Sequence, residues 1–207
     1  MTNILKPALW GLSALLSVMI ALYSYRYLFG VGLLAPNVMA NLYHRPWLYV
    51  HAGGGATALL MTPLQMAGGP RRRFPSLHRW TGRVYALGCL VGGLGGLICA
   101  FGTTSGPVAT LGFGGLAVAW LTTTTQGWRF AVARQFGDHR AWMIRSFSLT
   151  FSAVTLRLYL PTLPLLGLTF EQGYVASSYL AWIPNLIIAE LYLRGAFRAR
   201  VSAQPAL

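Results

Sequence analysis

The sequence predicts an all-α membrane protein in which six transmembrane helices form one bundle, and three observations support this prediction. Of the 207 residues, 55% are hydrophobic and only 9% are charged, whereas soluble globular domains contain about 25% charged residues. Six apolar segments each approach the roughly 20 residues that a helix needs to cross a bilayer. Arginines concentrate in alternate connections between these segments, as the positive-inside rule predicts.

The net charge of +13 at pH 7 comes from 16 lysines and arginines against three acidic residues. These cations lie between long apolar runs, so we attribute them to membrane topology and expect membrane lipids, not nucleic acid, as partners. The three acids also leave few candidates for hydrolytic acid–base catalysis. The sequence contains no nucleotide-binding loop, nucleophile elbow or zinc-protease motif.

We predict a single membrane domain over residues 1–207. The alternative for the first apolar segment is a cleaved signal peptide, but that segment is too long for one. The amino terminus, the Arg71–Arg73 loop, the turn around Arg134 and the tail are basic, while the opposite connections hold only Arg45. Both termini are therefore expected in the cytoplasm. The spans are predicted at residues 8–29, 47–67, 78–101, 108–132, 139–160 and 174–193.

Glycines and threonines characterise spans two to four. The run Gly53–Gly55 in span two leaves a bare backbone that another helix or a flat ligand can approach closely. We expect the run Thr122–Thr125 in span four to bond to its own backbone carbonyls and to serve packing. In span three, glycines at intervals of four predict close helix packing. These glycines are Gly88, Gly92 and Gly96.

Span five carries ionisable residues on one side of an otherwise apolar helix. Read at helical spacing, the residues of that side recur at steps of three or four and share one face. An ionisable group at the centre of a membrane helix costs at least ~3 kcal/mol, so it usually faces the bundle interior and marks a functional site. The residues of this face are His139, Met143, Ser146, Thr150, Ala153 and Arg157.

A rise of about 1.5 Å per residue divides the polar residues of the spans between the two halves of the bilayer. The cytoplasmic cluster contains Gln65, His78, Arg79, Arg83, His139, Arg145 and Glu190. The outer cluster contains Arg26, His44, Arg45, His51 and Arg157.

Glu190 and Arg145 lie at similar depth, and we predict that they pair. One interpretation is a structural ion pair that fixes the register of two helices, and the other is a proton relay or a quinone-binding pair. Arg157 has no acid at its depth. We therefore expect it to contact carbonyl groups, water, or an anion such as a haem propionate or a lipid phosphate.

His78 and His139 begin spans three and five at the same cytoplasmic depth. Two helices placed in this way can ligate one haem iron from opposite faces, since neutral imidazole is the common axial ligand of b-type haem. The alternative is that both histidines are interfacial hydrogen-bonding groups at helix ends. His51 lies in the other half of the bilayer, and its nearest histidine, His44, precedes Pro46 in a connector. A second bis-histidine site is therefore disfavoured.

Four segments carry a resemblance to a known family: HAGGGATALLMTPLQ, LHRWTGRVY, HRAWMIRSFSLTFSAVTLRLYLP and AWIPNLIIAE. They resemble the signature segments of a bacterial family of predicted membrane proteins known as domain of unknown function 2306, over roughly residues 47–193. The resemblance implies a six-helix protein of the inner membrane and supplies no reaction. The matching polar positions are His51, Gln65, His78, Arg79, Arg83, His139, Arg145, Arg157, Asn185 and Glu190.

More distantly, the layout is similar to transmembrane b-type cytochromes and ferric-reductase-like domains. Our first hypothesis is therefore a membrane redox protein that binds one b-type haem through His78 and His139 and exchanges electrons with a quinol and a membrane or periplasmic partner. In this hypothesis, His51 and Arg157 form a second polar pocket. A polar network is expected from Arg145, Glu190, Gln65, Arg83 and Asn185.

Two other hypotheses stand beside the first. The chain could be a non-catalytic subunit of a larger membrane complex, with its polar residues serving helix register and lipid binding. It could also be a small transporter that uses Glu190 as a proton site, although spans one to three and four to six show no repeat of the kind common in transporters.

Overall fold

The computed structural model of the protein describes residues 2–30 and 36–202, with side chains over residues 7–30, 38–68 and 72–195. All regular structure in the described part is helical, so the all-α prediction is confirmed. The helices are α1 Thr2–Phe29, α2 Pro36–Met39, a π-helical turn at His44–Leu48, α3 Tyr49–Met66, α4 Gly68–Arg73, α5 Pro75–Phe101, α6 Gly106–Val132, α7 Phe136–Thr150, α8 Ser152–Leu165, α9 Phe170–Leu180 and α10 Ile183–Ser202.

Three of the described helices contain a segment long and apolar enough to cross a membrane. They match the first, third and fourth predicted spans. Proline stands in the first turn of both α5 and α6, where its fixed φ suits a helix start and its missing N–H is not needed. Much of α1 is apolar and exposed, as expected of a surface that acyl chains cover. The segments are Pro7–Phe29, Pro75–Phe101 and Gly106–Val132.

The fifth predicted span, at residues 139–160, is not one uninterrupted helix. The chain forms α7 and α8 instead, which meet at Phe151. The Val154 N–H donates to the Phe151 carbonyl at 2.9 Å, so the chain tightens here into an i→i+3 turn. The Thr155 hydroxyl lies 3.2 Å from the Ser152 carbonyl oxygen, and its nearest acceptor is the Ala181 carbonyl of the neighbouring segment. A hydroxyl inserted beside the backbone carbonyls of a helix is a known cause of helix bending.

The sixth predicted span, at residues 174–193, is also divided, into α9 and α10. Pro184 lies in the first turn of α10; it lacks an N–H and cannot continue the backbone ladder of α9. The Ala181 carbonyl at this break accepts hydrogen bonds from the Thr155 hydroxyl at 2.6 Å and from the Asn185 amide at 3.0 Å. The two helix breaks therefore meet and satisfy each other's polar groups.

Helices α3 and α5 cross at their glycines, as the spacing in span three predicts. A side-chain carbon at Gly92 would lie 2.6 Å from the Gly55 backbone nitrogen, and one at Gly88 would lie 2.9 Å from the Gly54 carbonyl oxygen. Only the absence of side chains allows these backbones to come so close. Around the crossing, the buried core includes Ala58, Tyr85, Cys89, Trp120 and Leu149.

Candidate functional site

A cavity of about 1210 Å³ opens between the ends of several helices. Its wall is formed by the last turns of α3 and α6, the first half of α5, most of α7, the middle of α10 and Ser13 of α1. The sequence assigns the contributing ends of α3, α5, α6 and α7 to the cytoplasmic side. The wall combines aromatic and aliphatic side chains with arginine, glutamine and histidine, a composition suited to a ligand that is mostly apolar.

His78 and His139 both line this cavity. His78 belongs to the first turn of α5, which follows Pro75, and His139 belongs to the first turn of α7. The two helices contact each other farther from these ends, where the Tyr85 hydroxyl of α5 lies 2.9 Å from the Ser146 hydroxyl of α7. The structure therefore brings the two predicted ligand residues to one cavity from two different helices.

The hydrogen bond of His139 determines which nitrogen of its ring carries the hydrogen. Its Nδ1 lies 2.8 Å from the Gly127 carbonyl oxygen of α6. A carbonyl oxygen can only accept, so Nδ1 carries the hydrogen and Nε2 of the neutral ring has the free lone pair. A histidine whose Nδ1–H is held by a carbonyl is the usual arrangement of a metal ligand, because that bond orients the ring.

Three arginines of the cavity wall supply positive charge. Arg79 and Arg83 come from α5, and Arg140 comes from α7. The Arg83 guanidinium lies 4.9 Å from the centre of the Trp80 ring, and Arg140 donates to the Tyr192 hydroxyl at 3.3 Å. A ligand with an apolar body and one or two carboxylates would find cations on the cavity wall.

Gln65 and Asn185 also line the cavity, but their amides are used to join helices. Gln65 Nε2 donates to the Thr81 hydroxyl at 2.5 Å and to the His78 carbonyl at 3.2 Å, so it ties α3 to the start of α5. Asn185 donates to the Ser148 and Ala181 carbonyls at the breaks of the two divided helices.

Arg145 and Glu190 pair, as the sequence predicts. The guanidinium donates to both carboxylate oxygens, at 2.5 and 3.0 Å. The pair lies outside the residues that line the cavity. No hydrogen bond within the described part joins this pair to Gln65, Arg83 or Asn185, so the expected polar network is divided into separate contacts.

A second polar group lies at the other end of the bundle. Arg157 donates to the Ala153 carbonyl of its own helix and to the Ser24 hydroxyl of α1, both at 2.8 Å. His51 Nδ1 lies 2.8 Å from the Gly92 carbonyl oxygen of α5. No hydrogen bond joins His51 to Arg157 in the described part of the chain, so the predicted pocket is not linked by a direct contact of this kind.

With this geometry established, the comparison with known families is informative. The model of a family described as predicted membrane protein (DUF2306) matches residues 48–193. The chain belongs to this family. Comparison with curated proteins and with solved structures finds no match. The matched region of this DUF2306 protein contains both cavity histidines, the Arg145–Glu190 pair and Arg157.

A buried hydroxyl network beneath the cavity is the part of the site that the sequence analysis missed. The Tyr85 hydroxyl lies 2.9 Å from both the Ser146 and the Thr150 hydroxyls. Trp120 Nε1 donates to the Thr150 hydroxyl at 2.9 Å, and the Thr124 hydroxyl lies 2.7 Å from that of Ser146. In this DUF2306 protein, the network joins α5, α6 and α7. Its sequence signal was the seven-residue spacing of Tyr85 from His78, which repeats one helix face.

Proposed function

We propose that the chain crosses the bacterial inner membrane six times, with both termini in the cytoplasm. Helices α1, α5 and α6 are each long and apolar enough to cross alone. In this proposal, the 18-residue α3 and the divided pairs α7–α8 and α9–α10 provide the other three crossings. The proposal is supported by the arginines of the sequence, which concentrate at alternate helix ends.

We further propose that one b-type haem binds in the cavity, where His78 and His139 would hold its iron. The observation that carries the proposal is that both histidines line one cavity from different helices, while His139 keeps Nε2 as its lone-pair nitrogen. When bound, such a haem would supply reversible one-electron transfer.

The residues of the cavity fit this group in size and in chemistry. Phe136, Phe147 and Ile188 offer an apolar wall to the macrocycle. Arg79 and Arg83 are available to the propionate carboxylates, which a purely apolar cavity would exclude. The chain would thus hold the ring, orient one imidazole through the Gly127 carbonyl and neutralise the propionate charge.

A quinol is the proposed electron partner, because the cavity reaches a surface that lipid would cover. Ser13 of α1 lines the cavity, and it also lines an adjoining cavity of about 180 Å³. Phe147 and Thr62 are shared in the same way. A lipid-soluble quinol could therefore approach between α1 and α7 without crossing the polar mouth of the cavity.

The test is a pyridine haemochrome assay and a reduced-minus-oxidised spectrum of the detergent-purified full chain from cells given ample haem. A b-type signal is expected from the wild type, and its loss is expected in His78→Ala and His139→Ala. His44→Ala is the matched control, since His44 lies in the connector, outside the residues that line the cavity. Each variant should elute as one symmetric peak on size exclusion, so that loss of haem is separated from misfolding.

A colourless, monodisperse wild-type protein would overturn the haem proposal. Stoichiometric copurification with another membrane protein would then favour the accessory-subunit hypothesis. His139→Met offers a second measurement, because exchange of one imidazole for a thioether raises the reduction potential of a haem that is still bound. An unchanged potential would contradict ligation by His139.

A further inference from the structure

Arg157 is a partly buried cation near the end of the bundle opposite the histidine cavity. Its two terminal nitrogens donate to the Ala153 carbonyl and the Ser24 hydroxyl, which are neutral acceptors. The Ser24 hydroxyl in turn donates to the Ile20 carbonyl at 2.6 Å. Burial of a guanidinium among neutral groups is costly unless an anion accompanies it.

Arg26 is a second cation at the same place. It lies three residues before the end of α1, and its guanidinium carbon is 3.9 Å from the centre of the Tyr23 ring and 5.2 Å from that of Tyr27. Arg157 donates to Ser24, which lies two residues before Arg26 on α1, so both guanidinium groups lie beside the same part of α1, where like charges repel. The Arg26 Nε is buried and has no hydrogen-bond partner among the described residues.

Among the described side chains, no carboxylate pairs with these two arginines. The chain has three acidic residues. Among the described side chains, Glu190 pairs with Arg145, and neither Asp138 nor Glu171 forms a salt bridge with Arg26 or Arg157. Two cations beside the same part of α1, with one N–H donor unused, form an anion-binding arrangement whose acceptor the described residues do not supply.

We infer that Arg26 and Arg157 form a binding site for a phosphate group between the last turn of α1 and the middle of α8. A phosphate oxygen accepts hydrogen bonds from both guanidinium groups and neutralises their mutual repulsion. Tyr23 and Tyr27 beside the site suit the headgroup level of a bilayer. The phosphodiester of an anionic phospholipid and free inorganic phosphate share this chemistry. The inference does not depend on haem, because it concerns different residues at the other end of the bundle.

The test is native mass spectrometry of the delipidated full chain in detergent, with phosphatidylglycerol or phosphatidylcholine added. Retention of phosphatidylglycerol is expected to exceed that of phosphatidylcholine. In Arg26→Gln and Arg157→Gln, this retention should fall about tenfold, as loss of a charge-assisted hydrogen bond predicts. Arg45→Gln is the matched control, because Arg45 is an exposed arginine of the connector that lies 6.0 Å from the Tyr49 ring centre.

Inorganic phosphate forms the second arm, read as thermal stabilisation of the delipidated protein. If phosphate stabilises the wild type and not the arginine variants, a phosphate site is supported, whether lipid or free phosphate fills it. Displacement of phosphatidylglycerol by phosphate would show that both bind at one site. If Arg157→Gln does not fold, Arg26→Gln still tests the inference, since the Arg26 guanidinium packs on the Tyr23 and Tyr27 rings and forms no hydrogen bond with the described residues. Wild-type lipid retention in Arg26→Gln, or equal retention of the two lipids without any phosphate effect, would overturn the inference.

Discussion

The pairing of Arg145 with Glu190 joins α7 to α10 through two hydrogen bonds, and the Arg145 guanidinium also lies 4.9 Å from the centre of the Trp142 ring. The side chains are 23% and 35% exposed, so the pair is intermediate between surface and buried salt bridges. In such a pair, loss of one partner costs more than the pair itself contributes, because the remaining charge stays desolvated.

Glu190→Ala is expected to lower the free energy of unfolding by about 2 kcal/mol, between the values for exposed and buried pairs. The double variant Glu190→Ala with Arg145→Met should recover part of this loss, because it leaves no unpaired charge. Thermal unfolding in detergent, followed by circular dichroism, measures both. A double variant as unstable as the sum of the two single variants would show that the residues do not act as a pair.

The Tyr85 hydroxyl connects α5 to α7 in the buried network. Tyr85→Phe removes a hydroxyl that lies 2.9 Å from the Ser146 and Thr150 hydroxyls, so we expect a loss of about 1–2 kcal/mol. Tyr159→Phe is the control, since the Tyr159 hydroxyl makes no hydrogen bond in the described part of the chain, and it should leave stability unchanged. Equal effects in the two variants, measured by thermal unfolding, would contradict a role for the network.

At the scale of elements, the α3–α5 crossing fixes where His51 and His78 lie, because these helices carry them. Gly92 faces the Gly55 backbone across this crossing. A side-chain carbon added at Gly95 would lie 2.7 Å from the His51 backbone nitrogen. A backbone cannot yield as a flexible side chain does. The crossing therefore tolerates no larger residue at these positions.

Gly92→Ala is expected to destabilise the protein by about 2 kcal/mol or more, because overpacking forces the two helices apart. Gly114→Ala is a matched control in α6, where an added carbon would meet its nearest neighbour, Ala100, at 3.9 Å. This substitution should be neutral or stabilise by up to about 1 kcal/mol through helix propensity. The yield of monodisperse protein and its thermal midpoint in detergent test the contrast, and similar behaviour of both variants would contradict it.

Helix identity could be predicted from the sequence, whereas helix breaks could not. Long apolar runs that begin at proline define α5 and α6, and their ends lie within three residues of the predicted spans. No proline or glycine lies near Phe151 to indicate the break there. The break depends on groups of the neighbouring α9–α10 segment, above all the Asn185 amide, which donates to the Ser148 carbonyl, and the Ala181 carbonyl, which accepts from Thr155. Pro184 was a visible signal for the other break.

The candidate site, too, could be predicted only in part from the sequence. Depth along a helix predicted that His78 and His139 share one end of the bundle, and that Arg145 meets Glu190, because a helical rise is nearly constant. The depth of a residue along its helix does not show which helices are neighbours. The hydroxyl network of Tyr85, with its partners on α6 and α7, therefore emerged only from the packing.

At the scale of the whole molecule, the number of crossings decides which residues share a side of the membrane. Three described helices meet the criteria for crossing alone, and an odd number of crossings would separate the two termini. Six crossings keep both termini together with the Arg71–Arg73 loop, the turn at Arg134 and the mouth of the histidine cavity. The positive-inside rule favours six crossings, because those segments are arginine-rich.

Reporter fusions distinguish the two arrangements. Green fluorescent protein after Leu207 should fluoresce, because it folds in the cytoplasm, and alkaline phosphatase inserted after Arg134 should be inactive. Alkaline phosphatase inserted after Gly167, in the exposed connection between α8 and α9, should be active, since that connection would face the periplasm. Substitution of Arg71–Arg73 by glutamine is the matched perturbation, and it should weaken this orientation. A non-fluorescent fusion after Leu207, with active alkaline phosphatase when that enzyme is fused at the same position, would require an odd number of crossings and would contradict six crossings.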